Sequence, residues 1–234
     1  MTQRPDLHGE HHRLNRYRSL RAGLLGAIAG LVAVASLIAG LLAAGSSRAD
    51  ILLAASIALV AGALALAAGQ HVALRLRQDT ERADLEMEAG ELEVNFEHEL
   101  AELRDIYVHR GCDPETAERV ARQMMAHDAL GAHAREEMGL YRITTTRPFL
   151  AAIPLAVAFA IGAATPLIAT LLAPASSMSL VTVPVTLAVL ATLGALSART
   201  GGASLFLGGF RTAFWGAATM AATAVVGQLI AGIA

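Results

Sequence analysis

Four glutamates, Glu88, Glu91, Glu99 and Glu102, recur at three-residue spacing within each pair, the separation that lets two carboxylates on one helix face reach a single ion. At about 100° per residue, one continuous helix would gather all four within an arc of roughly 80°. Farther along, His133, Glu136 and Glu137 add an imidazole and two more carboxylates. Oxygen donors beside an imidazole suit hard to borderline divalent cations such as Fe2+, Mn2+ or Zn2+. A Glu-rich amphipathic helix can also simply present a solvated face, with Leu85, Leu92, Leu100, Leu103 and Tyr107 as its apolar side. Like charges at this spacing weaken an isolated helix by a few tenths of a kcal/mol per pair, roughly, and a bound cation would offset that.

These residues belong to a polar block, residues 79–140, that holds 17 of the chain's 20 acidic residues and only six Arg, a local balance of −11 hidden by the overall net charge of −2. His98, His109, His127 and His133 lie in the same block and can act as ligands or as protonated partners of carboxylates. Such a surface excludes nucleic acid as a partner. With one cysteine, Cys112, neither an intrachain disulfide nor a thiolate metal cluster can form, so any metal site must use oxygen and nitrogen. Nothing in the chain resembles a nucleophile–base arrangement or a phosphate-binding Gly loop, and no Glu-x-x-His pairs face each other as a di-iron bundle requires, so an enzyme is not expected.

The rest of the chain is apolar. A mean hydropathy of +0.51 with 55% hydrophobic residues marks an integral membrane protein. Five runs are long enough for the ~20 residues a helix needs to cross a bilayer: residues 22–45, 51–74, 149–173, 180–198 and 205–234. The first is too long for the apolar core of a signal peptide and is read as a retained span, although 43–45 offers a weak cleavage site. The expected fold is therefore all-α, with an N-terminal arm (1–21), two spans (22–74), a polar helical domain (75–147) and three further spans (148–234).

Arg placement orients the chain. Arg13, Arg16, Arg18 and Arg21 precede span one, Arg75, Arg77 and Arg82 open the polar block, and Arg142 and Arg147 close it, whereas the first hairpin has only Arg48 beside Asp50. Arg199 and Arg211 flank the connection between spans four and five. This pattern places the N-terminus and the acidic domain in the cytoplasm and the C-terminus outside. Basic charge carried by Arg alone and abundant Ala suggest a bacterial source, hence an inner (plasma) membrane.

Within the block, the second span should continue as a helical stalk, with Asn95 a pause and N-cap for a segment 96–109. Asp113 and Pro114 open the next helix, the first as N-cap and the second where its missing N–H costs nothing. It should run to about Ala126, followed by a short helix 128–138 that stops at Gly139. In the membrane, Gly26 and Gly30 form a GxxxG pair suited to close helix packing, a dimer interface being one place for it. Pro154 and Pro166 are expected to kink or break span three.

With these segments in place, the chain resembles the vacuolar iron transporter family, five-span dimeric carriers of Fe2+ and Mn2+. The resemblance is carried by Leu20-Arg-Ala-Gly-Leu-Leu-Gly-Ala, Ala61-Gly-Ala-Leu-Ala-Leu-Ala-Ala-Gly, Gln78-Asp-Thr-Glu-Arg-Ala-Asp-Leu, the run from Glu99 to Gly111, the run from Asp128 to Leu140, and Gly162-Ala-Ala-Thr-Pro-Leu. It implies a homodimer with a cytoplasmic metal-binding domain between spans two and three. It also implies that Glu88, Glu91, Glu99, Glu102 and Glu137 are ligands, and it puts His133 and Ala134 where some members have methionines.

The membrane half departs from the family pattern. Where the family reads Gly-Ala-Asn-Asp-Gly, this chain reads Gly26-Ala27-Ile28-Ala29-Gly30, and Ser-Met-Ala-Ala-Gly-Glu-Tyr is replaced by Ala65-Leu66-Ala67-Ala68-Gly69-Gln70-His71. No Asp or Glu remains inside the five spans, although an intramembrane ionisable group is the usual mark of an ion path. Gln70 and His71 are the remaining polar candidates for a translocation path, and His71 could equally be an interfacial residue. Three readings follow: a divalent-metal transporter homologue with altered translocation, a non-transporting membrane-anchored metal-binding or regulatory protein, and a membrane scaffold.

Overall fold

The computed structural model describes residues 8–140 and 147–233. It is all-helical among these residues, with α1 (His8–Ala43), α2 (Arg48–Val94), α3 (Phe96–His109), α4 (Pro114–Glu136), α5 (Pro148–Leu172), a 3-10 turn (Ala175–Ser177), α6 (Met178–Thr200) and α7 (Leu205–Ala231). Five of these helical segments are long and apolar enough to cross a membrane. Arg142, used above to orient the chain, lies outside the described residues, as do the side chains of Arg13, Arg16, Arg18 and Arg21. The chain divides into two compact units, one formed by residues up to Gln70 and from Phe149 onward, the other by His71–Pro148.

In the first unit, helices approach one another backbone to backbone at glycines, as expected for helices surrounded by lipid. A methyl group on Gly30 would sit 2.0 Å from the Phe159 carbonyl oxygen, and one on Gly162 would sit 1.9 Å from that of Ala27. Gly26 faces Leu155 in the same way. The Gly26/Gly30 pair therefore packs α1 onto α5 within one chain and is not free to form a dimer interface. Val34, Ile38, Ile51, Ala55, Phe159 and Ala163 fill the space beside this contact. On another side of α1, a methyl on Gly227 of α7 would meet the Gly40 carbonyl oxygen at 2.0 Å, and Thr223 Oγ1 donates to the Ser36 carbonyl (2.7 Å).

The helix α5 runs unbroken through Pro154 and Pro166, contrary to a break at either residue. The neighbourhood of Pro166 is buried, and polar groups there find partners: Thr170 Oγ1 donates to the Pro166 carbonyl (2.8 Å) and lies 3.1 Å from Thr182 Oγ1 of α6. Arg48 donates to the carbonyls of Leu171 and Ala173, so the lone Arg of the first hairpin neutralises the C-terminal end of α5.

The second unit follows the turn chemistry of its sequence. The α2 helix continues without interruption to Val94, and Asn95 (φ −130°, ψ 41°) separates it from α3. Asn95 makes no side-chain capping bond; its carbonyl, accepting from His98 and Glu99, makes the first bonds of α3. Asp113 does cap α4, accepting from the Thr116 N–H (3.0 Å) with Pro114 following. The two helices expected across residues 114–138 are the two halves of α4, separated at Asp128 (φ −163°, ψ 84°), whose extended backbone breaks the helix and whose side chain accepts from the Gly131 N–H (3.0 Å) and so caps the second half. Gly139 has φ +66°, the left-handed conformation that lets the chain leave the helix. Leu100, Leu103, Ala121, Met125 and Ala132 form the core between α3 and α4, with Leu92 of α2 packed against it.

Candidate metal centre

The break at Asn95 does what a continuous helix could not. Eleven residues of helix would set Glu88 and Glu99 roughly 16 Å apart along the axis. The reversal instead brings donor oxygens of Glu88, Glu91 and Glu99 within 4.8 Å of one another. Two further groups share these residues, one formed by Glu88, His133 and Glu137, the other by His98, Glu99 and Glu102. Of the four block histidines that the sequence offered as possible ligands, His98 and His133 fall in these groups, and His98 sits beside Glu99 and four residues before Glu102.

The middle of this arrangement is dry. His133 is fully buried, and Glu88 and Glu99 are only 2% and 3% exposed. His133 Nδ1 lies 3.0 Å from Glu88 Oε1, 3.0 Å from Glu137 Oε2 and 3.9 Å from Glu99 Oε2. Only the Glu137 contact has hydrogen-bond geometry. Glu88 Oε1 and His133 Nε2 are both buried without a hydrogen-bond partner. Local structure explains the placement: the apolar core seats the second half of α4, and Glu137, at its C-cap, projects one turn beyond His133.

Burial is the main reason that the Glu88 carboxyl is pushed above the usual carboxylate range, with Glu137, Glu99 and Glu91 adding to the rise and His133 opposing it. The Glu99 carboxyl is raised chiefly by burial as well, and then by Glu102. Two carboxylates 4.8 Å apart repel by on the order of 3 kcal/mol at an effective dielectric constant of ~20, so ionising this group without a counter-charge is unfavourable. A cation removes the conflict. Metal–ligand bonds of ~2.0–2.2 Å place neighbouring donors about 3 Å apart, the separation of His133 Nδ1 from Glu88 Oε1 and from Glu137 Oε2.

The other candidates are placed differently. Glu136 is paired with Arg110, which also donates to its carbonyl (2.9 Å), and it belongs to none of the three groups. Glu91 and Glu102 are exposed at the rim. Gln70 and His71 follow each other on the uninterrupted stretch of α2 and also lie outside these groups; the Nδ1 of His71 is buried without a hydrogen-bond partner. Ala29, where the resemblance puts an aspartate, is exposed on α1 between Gly26 and Gly30.

Comparison with known proteins places the chain in a family. The sequence profile of the VIT family matches residues 20–228. The chain is 42% identical to a vacuolar iron transporter of Acanthamoeba castellanii over 96% of its own length and 84% of that protein's. It is 29% identical to vacuolar iron transporter 2 of Oryza sativa subsp. japonica, covering 93% of this chain and 89% of the relative. It is 26% identical to vacuolar iron transporter 1 of Arabidopsis thaliana, over 94% and 91% respectively. A profile match over most of the chain and a relative above 40% identity lead to one assignment: the chain belongs to the VIT family.

Proposed function

We propose that this protein carries a divalent metal ion, Fe2+ or Mn2+, across a membrane, and that residues 75–147 form a cytoplasmic domain that gathers the ion. In this reading Glu88, Glu91, Glu99, Glu102 and Glu137 are its carboxylate ligands and His133 its nitrogen ligand; Zn2+ fits the same donors. Glu136 is left out, because Arg110 holds it. The observation that carries the reading is the Glu88–His133–Glu137 group, in which Glu88 and His133 are buried and Glu137 is exposed, and whose unpartnered Glu88 oxygen is what a cation site would provide.

The remaining parts follow the charge pattern and the family: a homodimer in a bacterial inner membrane, with its N-terminus inside and its C-terminus outside. Gln70 and His71 are proposed to serve the translocation path in place of the acidic residues that the spans lack. That lack also favours a second reading, a membrane-anchored metal-binding protein that does not transport.

Uptake of Fe2+ and Mn2+ into proteoliposomes separates the two. Flux that disappears in Gln70→Ala or His71→Ala variants supports a path through these residues. Absence of flux beside intact metal binding would sink the transporter reading and leave the second.

A further inference from the structure

The most informative residue in this group is the one that is not acidic. Glutamates alone would make an all-oxygen site, which takes Mn2+, Ca2+ or Mg2+ readily. A buried imidazole at its centre changes the donor chemistry, since nitrogen ligands favour metals later in the Irving–Williams order. We propose that His133 makes the Glu88–His133–Glu137 group a selectivity site for borderline divalent cations such as Fe2+, Co2+ and Zn2+, discriminating against hard ones such as Mn2+ and Ca2+. This rests on the reading of the acidic region as metal-binding and adds which metals it prefers.

Three observations carry it. The first is direction: Nδ1 of His133 faces the carboxylates, at 3.0 Å from both Glu88 and Glu137. The second is burial: His133 is fully buried and Glu88 only 2% exposed, so water reaches a bound ion only from the side of the exposed Glu137, and few solvent ligands dilute the nitrogen's contribution. The third is the hydrogen-bond balance. If the ring proton sits on Nδ1 it serves Glu137 and leaves Glu88 Oε1 unpartnered, as seen; if it sits on Nε2, a bare Nδ1 lone pair faces two carboxylate oxygens. A cation between the three atoms satisfies all of them in the second arrangement, and the buried Nε2–H of His133 is then the donor left without a partner. The neighbouring groups built from Glu88, Glu91 and Glu99 or from Glu99 and Glu102 have no comparably buried nitrogen, because His98 is exposed.

The test uses the full-length protein in detergent micelles, titrated with Co2+, followed by visible absorption, and with Mn2+, followed by loss of the free-ion EPR signal. The wild type should favour Co2+ over Mn2+ by roughly tenfold or more. His133→Gln should weaken Co2+ binding by about 10–100-fold, the range typical even for groups outside the ligand shell, while Mn2+ binding changes far less. An unchanged Co2+ affinity, or equal losses for both ions, would overturn the proposal. Pulsed EPR of Cu2+ bound to a His98→Gln protein gives a second check: imidazole nitrogen modulation that is lost when His133→Gln is added supports the assignment, and modulation that is unchanged by it refutes the assignment. A wild type that binds both ions without preference refutes this inference alone. One that binds neither refutes the metal-binding reading beneath it.

Discussion

Replacing Glu88 by Gln should stabilise the metal-free protein and shrink the stabilisation that metal confers. The Glu88 side chain is 2% exposed and its Oε1 has no hydrogen-bond partner, a condition that costs about 1–3 kcal/mol for a buried polar group. Burial raises this carboxyl's pKa, so the folded protein holds the proton more tightly than the unfolded chain. The fold is thus favoured at acid pH and loses that advantage as the pH rises from the unfolded pKa through the raised folded one. At pH 7.5 the neutral amide should therefore gain about 1–2 kcal/mol, or roughly 2–8 °C in Tm at ~2–4 °C per kcal/mol. Metal at 100 times its Kd adds about 2.7 kcal/mol to the wild type. A 10–100-fold loss of affinity in the variant leaves an increment of only about 0.4–1.4 kcal/mol. Thermal unfolding in EDTA and in excess Co2+ measures both quantities. A variant with wild-type Tm in EDTA and a full metal increment would refute the argument, since Glu88 would then be neither a strained charge nor a ligand.

Neighbouring carboxylates should behave differently from one another: Glu137→Gln should lower Co2+ affinity at least about tenfold, whereas Glu136→Gln should leave it near the wild-type value, both read by the same titration. Metal binding should release protons, because Glu88 and Glu99 are held above the ordinary carboxylate range and must ionise to ligate. Calorimetry in two buffers of different ionisation enthalpy should show this release growing as the pH falls toward the carboxylate range. Gly162→Ala should destabilise the membrane-spanning unit by about 1–3 kcal/mol, seen as a lower Tm in EDTA, because the added methyl would lie 1.9 Å from the Ala27 carbonyl oxygen.

Much of this was legible in the residues themselves. Hydropathy located the spans because lipid demands long uninterrupted apolar runs. Asp113, Pro114 and Gly139 marked helix ends because each has a conformational or hydrogen-bonding role that few other residues fill. The three-residue glutamate spacing marked the pairs that do share donor groups, Glu88 with Glu91 and Glu99 with Glu102, whereas the single arc of a continuous helix gives way to a break at Asn95 that brings Glu99 to the first pair. The roles of Glu136 and Glu137 could not be separated by type, and Arg110, which is far away in sequence, makes the distinction. Likewise the Gly26/Gly30 pattern announces close packing without naming its partner, which the structure supplies as α5.

The chain reversal at Asn95 also bears on the order of synthesis. Every donor of the candidate centre lies between Glu88 and Glu137, and the short steps between them keep the entropy of closing the site low. Bringing Glu88 to Glu99 costs roughly 2 kcal/mol of chain entropy, and reaching Glu137 roughly 3, because the cost grows only with the logarithm of loop length. Nothing in the three groups waits for α5, α6 or α7. Segments that depend on local contacts fold early on the ribosome. The candidate centre can therefore assemble while the last three spans are still being made.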